Sequence, residues 1–245
     1  MNWQPVKRLI PRPVKGAIRH ALTARRLRRA LAAVAALPPA RVPGTELLAE
    51  LQAGWGNEGM AADTDFLEEL ARRAVETRGP ILECGSGLTT LLLGLLAGRR
   101  GVETWSLEHF PEWRARVAGV VRRRSVPRVR VCHAPLRDYG GFSWYDPPLA
   151  EMPADFRLVV CDGPPGDTPG GRYGLWPVMA ERLAAGCLIL LDDADRPGEQ
   201  EALRRWADEG RLETSMRVTD GGAFALAWVG GAGGEGERAE APQAG

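Results

Sequence analysis

The chain reads as an α/β protein with a doubly wound, mostly parallel sheet that finishes in an antiparallel hairpin. Three observations predict this. Apolar strand-like runs alternate with helix-like segments from residue 63 to 209, which implies crossover connections and a parallel sheet covered on both faces. The stretch ILECGSGLTTLLLGLLAG, residues 81–98, is an apolar entry, a small-residue turn and a leucine-rich run, and so reads as strand, turn and helix. Near the end, LETSMRV, TDGG and AFALAWV read as two strands joined by a tight turn.

In chain order, residues 1–45 contain ten Lys or Arg and no acid, and TARRLRRALAAVAALPP reads as an amphipathic helix stopped by Pro38 and Pro39. Strands are expected at 80–84, 102–107, 128–132, 157–161 and 187–191. Helices are expected at 63–77, 88–97, 111–124, 174–185 and 198–209; Pro111 and Pro197 open the third and fifth, where a missing N–H costs nothing. From Gly230, GGAGGEGERAEAPQAG has nothing to bury and is expected to be disordered. The expected organisation is a basic helical extension (1–45), one domain (46–229) and a tail (230–245).

The 245 residues, 44% of them hydrophobic, suffice for one large core. Lys plus Arg (32) nearly cancels Asp plus Glu (31), so no global field demands a polyanionic partner. No uncharged apolar run approaches the roughly 18 residues of a membrane span, which predicts a soluble protein. The apolar N-terminal stretch begins too far in for a secretory signal, while a transit peptide stays open on composition. Cys84, Cys132, Cys161 and Cys187 are far apart, form no CxxC pair and lie in or beside apolar runs, as expected of buried, reduced thiols in a cytoplasmic protein.

The turn itself is selective. Its glycines are Gly85 and Gly87, and Thr90 stands where a dinucleotide fingerprint would place a third. Glu83 would repel a pyrophosphate, so the ligand is expected to carry positive charge. The glycines let backbone approach that ligand. Glu108 lies 21 residues after Gly87, close to the separation at which an acid accepts from ribose hydroxyls. Asp162 ends the fourth strand.

Taken in order, Glu83-x-Gly85-x-Gly87, Glu108, Asp162 and the terminal hairpin make residues 55–229 resemble the class I S-adenosylmethionine-dependent methyltransferases. The resemblance implies a seven-stranded sheet with an antiparallel last strand, S-adenosylmethionine as cofactor, and methyl transfer to a small-molecule acceptor, an oxygen nucleophile being the first expectation. It implies cofactor contacts from Glu83, Gly85, Ser86, Gly87, Glu108, His109 and Asp162. Upstream, GMAADTDFLEELARRAVETRGPILECG is similar to the stretch before the glycine turn in small metal-dependent O-methyltransferases acting on catechols and caffeoyl esters. That likeness puts Met60 and Ala61 near the ligand. In VRVCHAPLRDYGGFSWY the backbone at His133 and Ala134 is expected to meet the adenine, and His133 joins Asp162 as a candidate for proton transfer.

YDPPL (145–149) and CDGPPG (161–166) are similar to the D-P-P-Y motif of base-modifying methyltransferases, but Asp146 precedes its strand and no aromatic follows Asp162 until Tyr173. Nucleic acid is therefore not expected as substrate. Loops 139–156 and 163–173 are expected to line the acceptor, with Arg172, Tyr173 and Trp176 at its entry. In LLDDADR, Asp192 and Asp193 end the fifth strand beside Asp162; three acids converging without an obvious lysine need a cation or a proton, and Mg2+ or Mn2+ would suit. The stretch is similar to the paired acids of macrocin-type and catechol-type O-methyltransferases. It departs from the catechol pattern, since no lysine follows Asp162 and Asp replaces the Asn after Asp192. Alternatively, Asp193 and Asp195 cap the next helix or pair with Arg196 and Arg204. Two other functional readings stay open. One is a nicotinamide-dependent dehydrogenase, which Thr90 and Glu83 disfavour. The other is a cofactor-binding scaffold docked on membrane or RNA through the basic N-terminus.

Overall fold

The structure, a computed structural model, describes residues 12–56 and 63–230, with side chains from residue 21 onward. Its strands are β1 (Ile81–Cys84), β2 (Thr104–Glu108), β3 (Val129–His133), β4 (Leu136–Asp138), β5 (Ser143–Tyr145), β6 (Phe156–Cys161), β7 (Leu183–Leu191), β8 (Glu213–Thr219) and β9 (Gly222–Trp228). Its helices are α1 (Arg12–Ala36), α2 (Thr45–Trp55), α3 (Thr64–Glu76), α4 (Leu88–Leu96), α5 (Pro111–Arg123), α6 (Leu175–Met179) and α7 (Pro197–Gly210). Seven strands form one sheet in the order β3-β2-β1-β6-β7-β9-β8. The first five are parallel, and the hairpin β8–β9 joins β7 antiparallel, as expected from the turn at 219–222.

The strand period of two divides the interior. Leu158 and Val160 of β6 face a core shared with Leu188, Leu190 and α1 to α4; Val159 and Cys161 face another, built around Trp144, Tyr145, Met179 and Trp206. Of the basic N-terminal helix, Leu27, Ala30, Leu31 and Val34 are buried in the first core, while Arg25, Arg28 and Arg29 stay exposed and Arg26 pairs with Glu50 at 2.6 Å. Gly54 permits the tight α1–α2 crossing, since a Cβ there would lie 2.5 Å from the Leu27 nitrogen. Among the described residues, no helix is long and apolar enough to cross a membrane. All four cysteines are free thiols; three are buried and Cys132 is half-buried.

Three departures from the sequence reading concern the site. β2 and β3 run to Glu108 and His133, one residue beyond the expected ends, so both residues sit on the sheet's carboxyl edge. The helix expected at 174–185 shrinks to α6 between 3₁₀ turns at 171–174 and 180–182, and β7 begins at Leu183, because Leu183 pairs with Phe156 before a bulge that ends at Leu188. Between the strands expected at 128–132 and 157–161, where no other strand was expected, β4 and β5 pair into a separate two-stranded sheet. Three-residue strands are too short to show an alternation. Met60 and Ala61, and the tail from 231, lie outside the described residues.

Candidate cofactor and acceptor site

The glycine turn sits where β1 lies between β2 and β6. Gly85 has φ +91°, and a Cβ there would lie 3.1 Å from the Asp162 carbonyl oxygen, so glycine is required both for the backbone and for the approach of the β6 loop. Below the turn, Glu83 is fully buried. Thr90 bridges the two: its hydroxyl donates to Glu83 Oε2 at 2.6 Å and accepts from the Gly87 N–H at 2.8 Å. The residue in place of a third glycine thus ties the turn to the acid, which glycine cannot do. Burial raises the Glu83 pKa to about 7, against the pull of the Ser106, Thr89 and Thr90 hydroxyls, yet Oε1 accepts no well-formed hydrogen bond.

Glu108, also buried, clamps the turn from β2. Its Oε2 accepts from the Ser86 N–H at 3.2 Å and the Ser86 hydroxyl at 2.8 Å, and Oε1 accepts from the Phe110 N–H at 3.0 Å. Trp113 of α5 fixes the other side by donating its indole N–H to the Ser86 carbonyl at 2.7 Å, and Arg116 covers the Trp113 ring at 4.8 Å. His109 is half-buried with Nδ1 3.4 Å from Glu108 Oε1, and burial holds its pKa below the usual histidine value. Ala134 is buried with its N–H on the Glu108 carbonyl at 2.9 Å, whereas the neighbouring His133 is exposed.

These groups suit S-adenosylmethionine. Glu83 keeps an unmet buried carboxylate oxygen, Glu108 is a fixed acid at a strand end, and the carboxyl edge is where ligands enter such sheets. His133 and Asp162 are not brought together: three strand spacings separate β3 from β6, about 14 Å.

On the far side of β1 the acids do converge. β6 and β7 are neighbours, and carboxylate oxygens of Asp162, Asp192 and Asp193 lie within 4.8 Å of one another. Burial raises the Asp162 pKa to about 6, with Arg172 opposing, and that of Asp192 to about 7. A cation, Arg172, lies against these acids. It was expected at the acceptor entry, but its side chain is 3% exposed and turned inward, donating to Asp162 Oδ1 at 3.3 Å and Asp193 Oδ2 at 2.8 Å, because a charge removed from water must find partners. Asp193 also pairs with Arg196 at 2.8 Å, as the alternative reading had it. No side chain caps α7, and Arg204 pairs with Glu201 and Asp208 instead.

Of the two aromatics expected at the acceptor entry, Tyr173 is buried and Trp176 half-buried. Tyr173 donates its hydroxyl to Glu209 at 2.8 Å and carries the Arg205 guanidinium 3.3 Å from its ring centre; Trp176 packs against Gly210 at the end of α7. Two residues that sequence reading passed over also matter. Tyr145 is buried with its hydroxyl against Gly163, and Glu199 is buried 3.6 Å from Arg172 Nε. Tyr145 sat in plain view beside the prolines of YDPPL, but nothing local marks Glu199.

Neither a family model nor a curated protein matches the chain. Solved structures do. The O-methyltransferase from Bacillus cereus in complex with SAH is 15% identical with TM-score 0.53, over 77% of this chain and 92% of that one. The SAH-bound methyltransferase PaMTH1 from Podospora anserina is 16% identical with TM-score 0.53, over 90% and 98%. Cofactor-bound Rv0187 from MTB is 24% identical with TM-score 0.51, over 83% and 89%. With the strand order and the terminal hairpin, these likenesses show that the chain has the fold of the class I S-adenosylmethionine-dependent methyltransferases.

Proposed function

We propose that the chain transfers the methyl group of S-adenosylmethionine to an oxygen nucleophile of a small-molecule acceptor. The observation that carries this reading is the glycine turn held between two buried acids, Glu83 beneath it and Glu108 across it. Glu108 would accept from the ribose hydroxyls, Glu83 would meet the ammonium, and backbone at His133 and Ala134, beside the end of β2, would border the adenine. Structural relatives named as O-methyltransferase or SAH-bound methyltransferase support the same cofactor.

When bound, S-adenosylmethionine supplies a carbon already activated by its sulfonium, so the protein mainly positions the acceptor and receives a proton. Asp162 would take that proton. It is part-exposed at the carboxyl edge next to Gly85, and with a pKa near 6 it is mostly ionised at neutral pH yet basic enough to accept a proton. The nearby backbone fixes it, the Asp162 N–H donating to the Cys84 carbonyl at 3.0 Å. Titration with S-adenosylhomocysteine and with NAD tests the cofactor reading: binding of the first alone is expected, and binding of NAD alone overturns it. A screen of small acceptors, read as cofactor-dependent release of S-adenosylhomocysteine, then identifies the substrate.

A further inference from the structure

We propose that the Arg172 guanidinium is the resident cation of the Asp162, Asp192 and Asp193 cluster, standing where a divalent metal would otherwise bind. The cluster is thereby a guanidinium-held, metal-independent element of the site. The proposal rests on the cluster's geometry and is independent of the methyl-transfer reading.

Arg172 leaves the 3₁₀ turn at 171–174, which Trp206 anchors by donating to the Tyr173 carbonyl at 2.9 Å. From there its planar fork meets five oxygens. Nη2 donates to Asp162 Oδ1 and Asp193 Oδ2, Nη1 donates to the backbone carbonyl of Asp192 at 2.5 Å and, more distantly, that of Cys161 at 3.4 Å, and Nε lies 3.6 Å from Glu199 Oε1. This arrangement uses the fork of an arginine rather than a point charge. One oxygen of each carboxylate is already engaged, Asp162 Oδ1 by Arg172. Asp193 Oδ2 is shared by Arg172 and Arg196, each at 2.8 Å, and Asp192 Oδ1 accepts the Asp193 N–H at 2.9 Å. A dication held by these three acids would lie next to a buried guanidinium that is itself bonded to two of them, against like-charge repulsion in a poorly screened site. Glu199 adds the reason Arg172 cannot swing out: it is buried, its Oε1 has no hydrogen-bond partner, and the only cation paired with it among the described residues is Arg172.

The test is a manganese titration of the full chain, stripped with EDTA, followed by the loss of the free-ion electron paramagnetic resonance signal. Wild-type protein is expected to take up no stoichiometric manganese. Arg172→Met removes the charge at nearly constant length and should create a site of at least about tenfold higher manganese affinity, abolished again when Asp192→Asn is added. Because Arg172→Met strands Glu199 as well, the double variant Arg172→Met with Glu199→Gln is made alongside and should show the same gain. Arg172→Lys should stay refractory to manganese, since its ammonium keeps the charge. Uptake of one manganese by the wild type, lost in Asp192→Asn, overturns the proposal. A folded Arg172→Met, alone or with Glu199→Gln, that gains no manganese affinity overturns it too.

Discussion

Glu83 permits a test of which end of the ligand meets the turn, through proton release rather than affinity. Buried and sharing only one oxygen with Thr90, it titrates at about 7 in place of the ordinary 4.5. At pH 6 roughly nine-tenths of free protein therefore carries the proton, and at pH 8 roughly one-tenth does. A ligand ammonium against the carboxyl favours the charged form, so binding of S-adenosylhomocysteine should expel about 0.9 proton at pH 6 and about 0.1 at pH 8. Isothermal titration in two buffers of different ionisation heat reads this directly as a buffer-dependent enthalpy. Glu83→Gln should remove the dependence, which separates Glu83 from Asp162 and Asp192, whose pKa values are also raised. Tight binding with a buffer-independent enthalpy at pH 6 would refute the assignment of Glu83 to the cationic end. The same group predicts a stability trend. Its folded pKa is raised, so the unfolded chain binds fewer protons between 4.5 and 7, and stability falls by about 3 kcal/mol as pH rises through that window. The unliganded Glu83→Gln variant should show a flatter melting profile over it.

Three substitutions test the rest of the turn. Thr90→Val removes the hydroxyl that serves both Gly87 and Glu83, and should cost about 1–3 kcal/mol in urea unfolding, whereas Thr90→Ser should stay near wild type; equal values for the two would remove the bridge from the argument. Glu108→Ala should weaken S-adenosylhomocysteine binding by about 1–3 kcal/mol, and unchanged affinity in protein that circular dichroism shows folded would take Glu108 out of the site. Gly163→Ala drives a methyl into the Tyr145 hydroxyl and should destabilise by about 1–3 kcal/mol; adding Tyr145→Phe should recover part of the loss, the Cys84 carbonyl at 3.3 Å holding back the remainder, and no recovery would show that the hydroxyl is not the obstacle.

The glycine turn and its two acids were legible in the sequence because their information is local. Glu83, Gly85, Gly87 and Thr90 lie within eight residues, and Glu108 is fixed relative to them by one helix and one strand. Strand ends slipped by one residue without consequence, since a parallel sheet aligns its carboxyl ends whatever the individual lengths. The helix expected at 174–185 failed for the opposite reason. ERLAAG has helical composition, but Leu183 pairs with Phe156, a partner far away in the chain, and pairing overrides propensity. The sheet of β4 and β5 carried no signal because each strand has three residues.

The acid cluster separates a sound physical inference from an incomplete identification. That three carboxylates at neighbouring strand ends require a cation or a proton follows from electrostatics, and the structure meets both requirements in part, with Asp162 and Asp192 shifted upward and a guanidinium between Asp162 and Asp193. What no local string reveals is which cation. Arg172 stands in GGRYGLWPV, a stretch with the composition of a solvated loop, and its aim inward is set by partners at 162, 193 and 199 together with the Trp206 anchor. Only the closed fold brings those positions together. An arginine in a glycine-rich loop is therefore best weighed against the acids that the sheet topology delivers to the same edge, before a metal or a substrate anion is invoked for either.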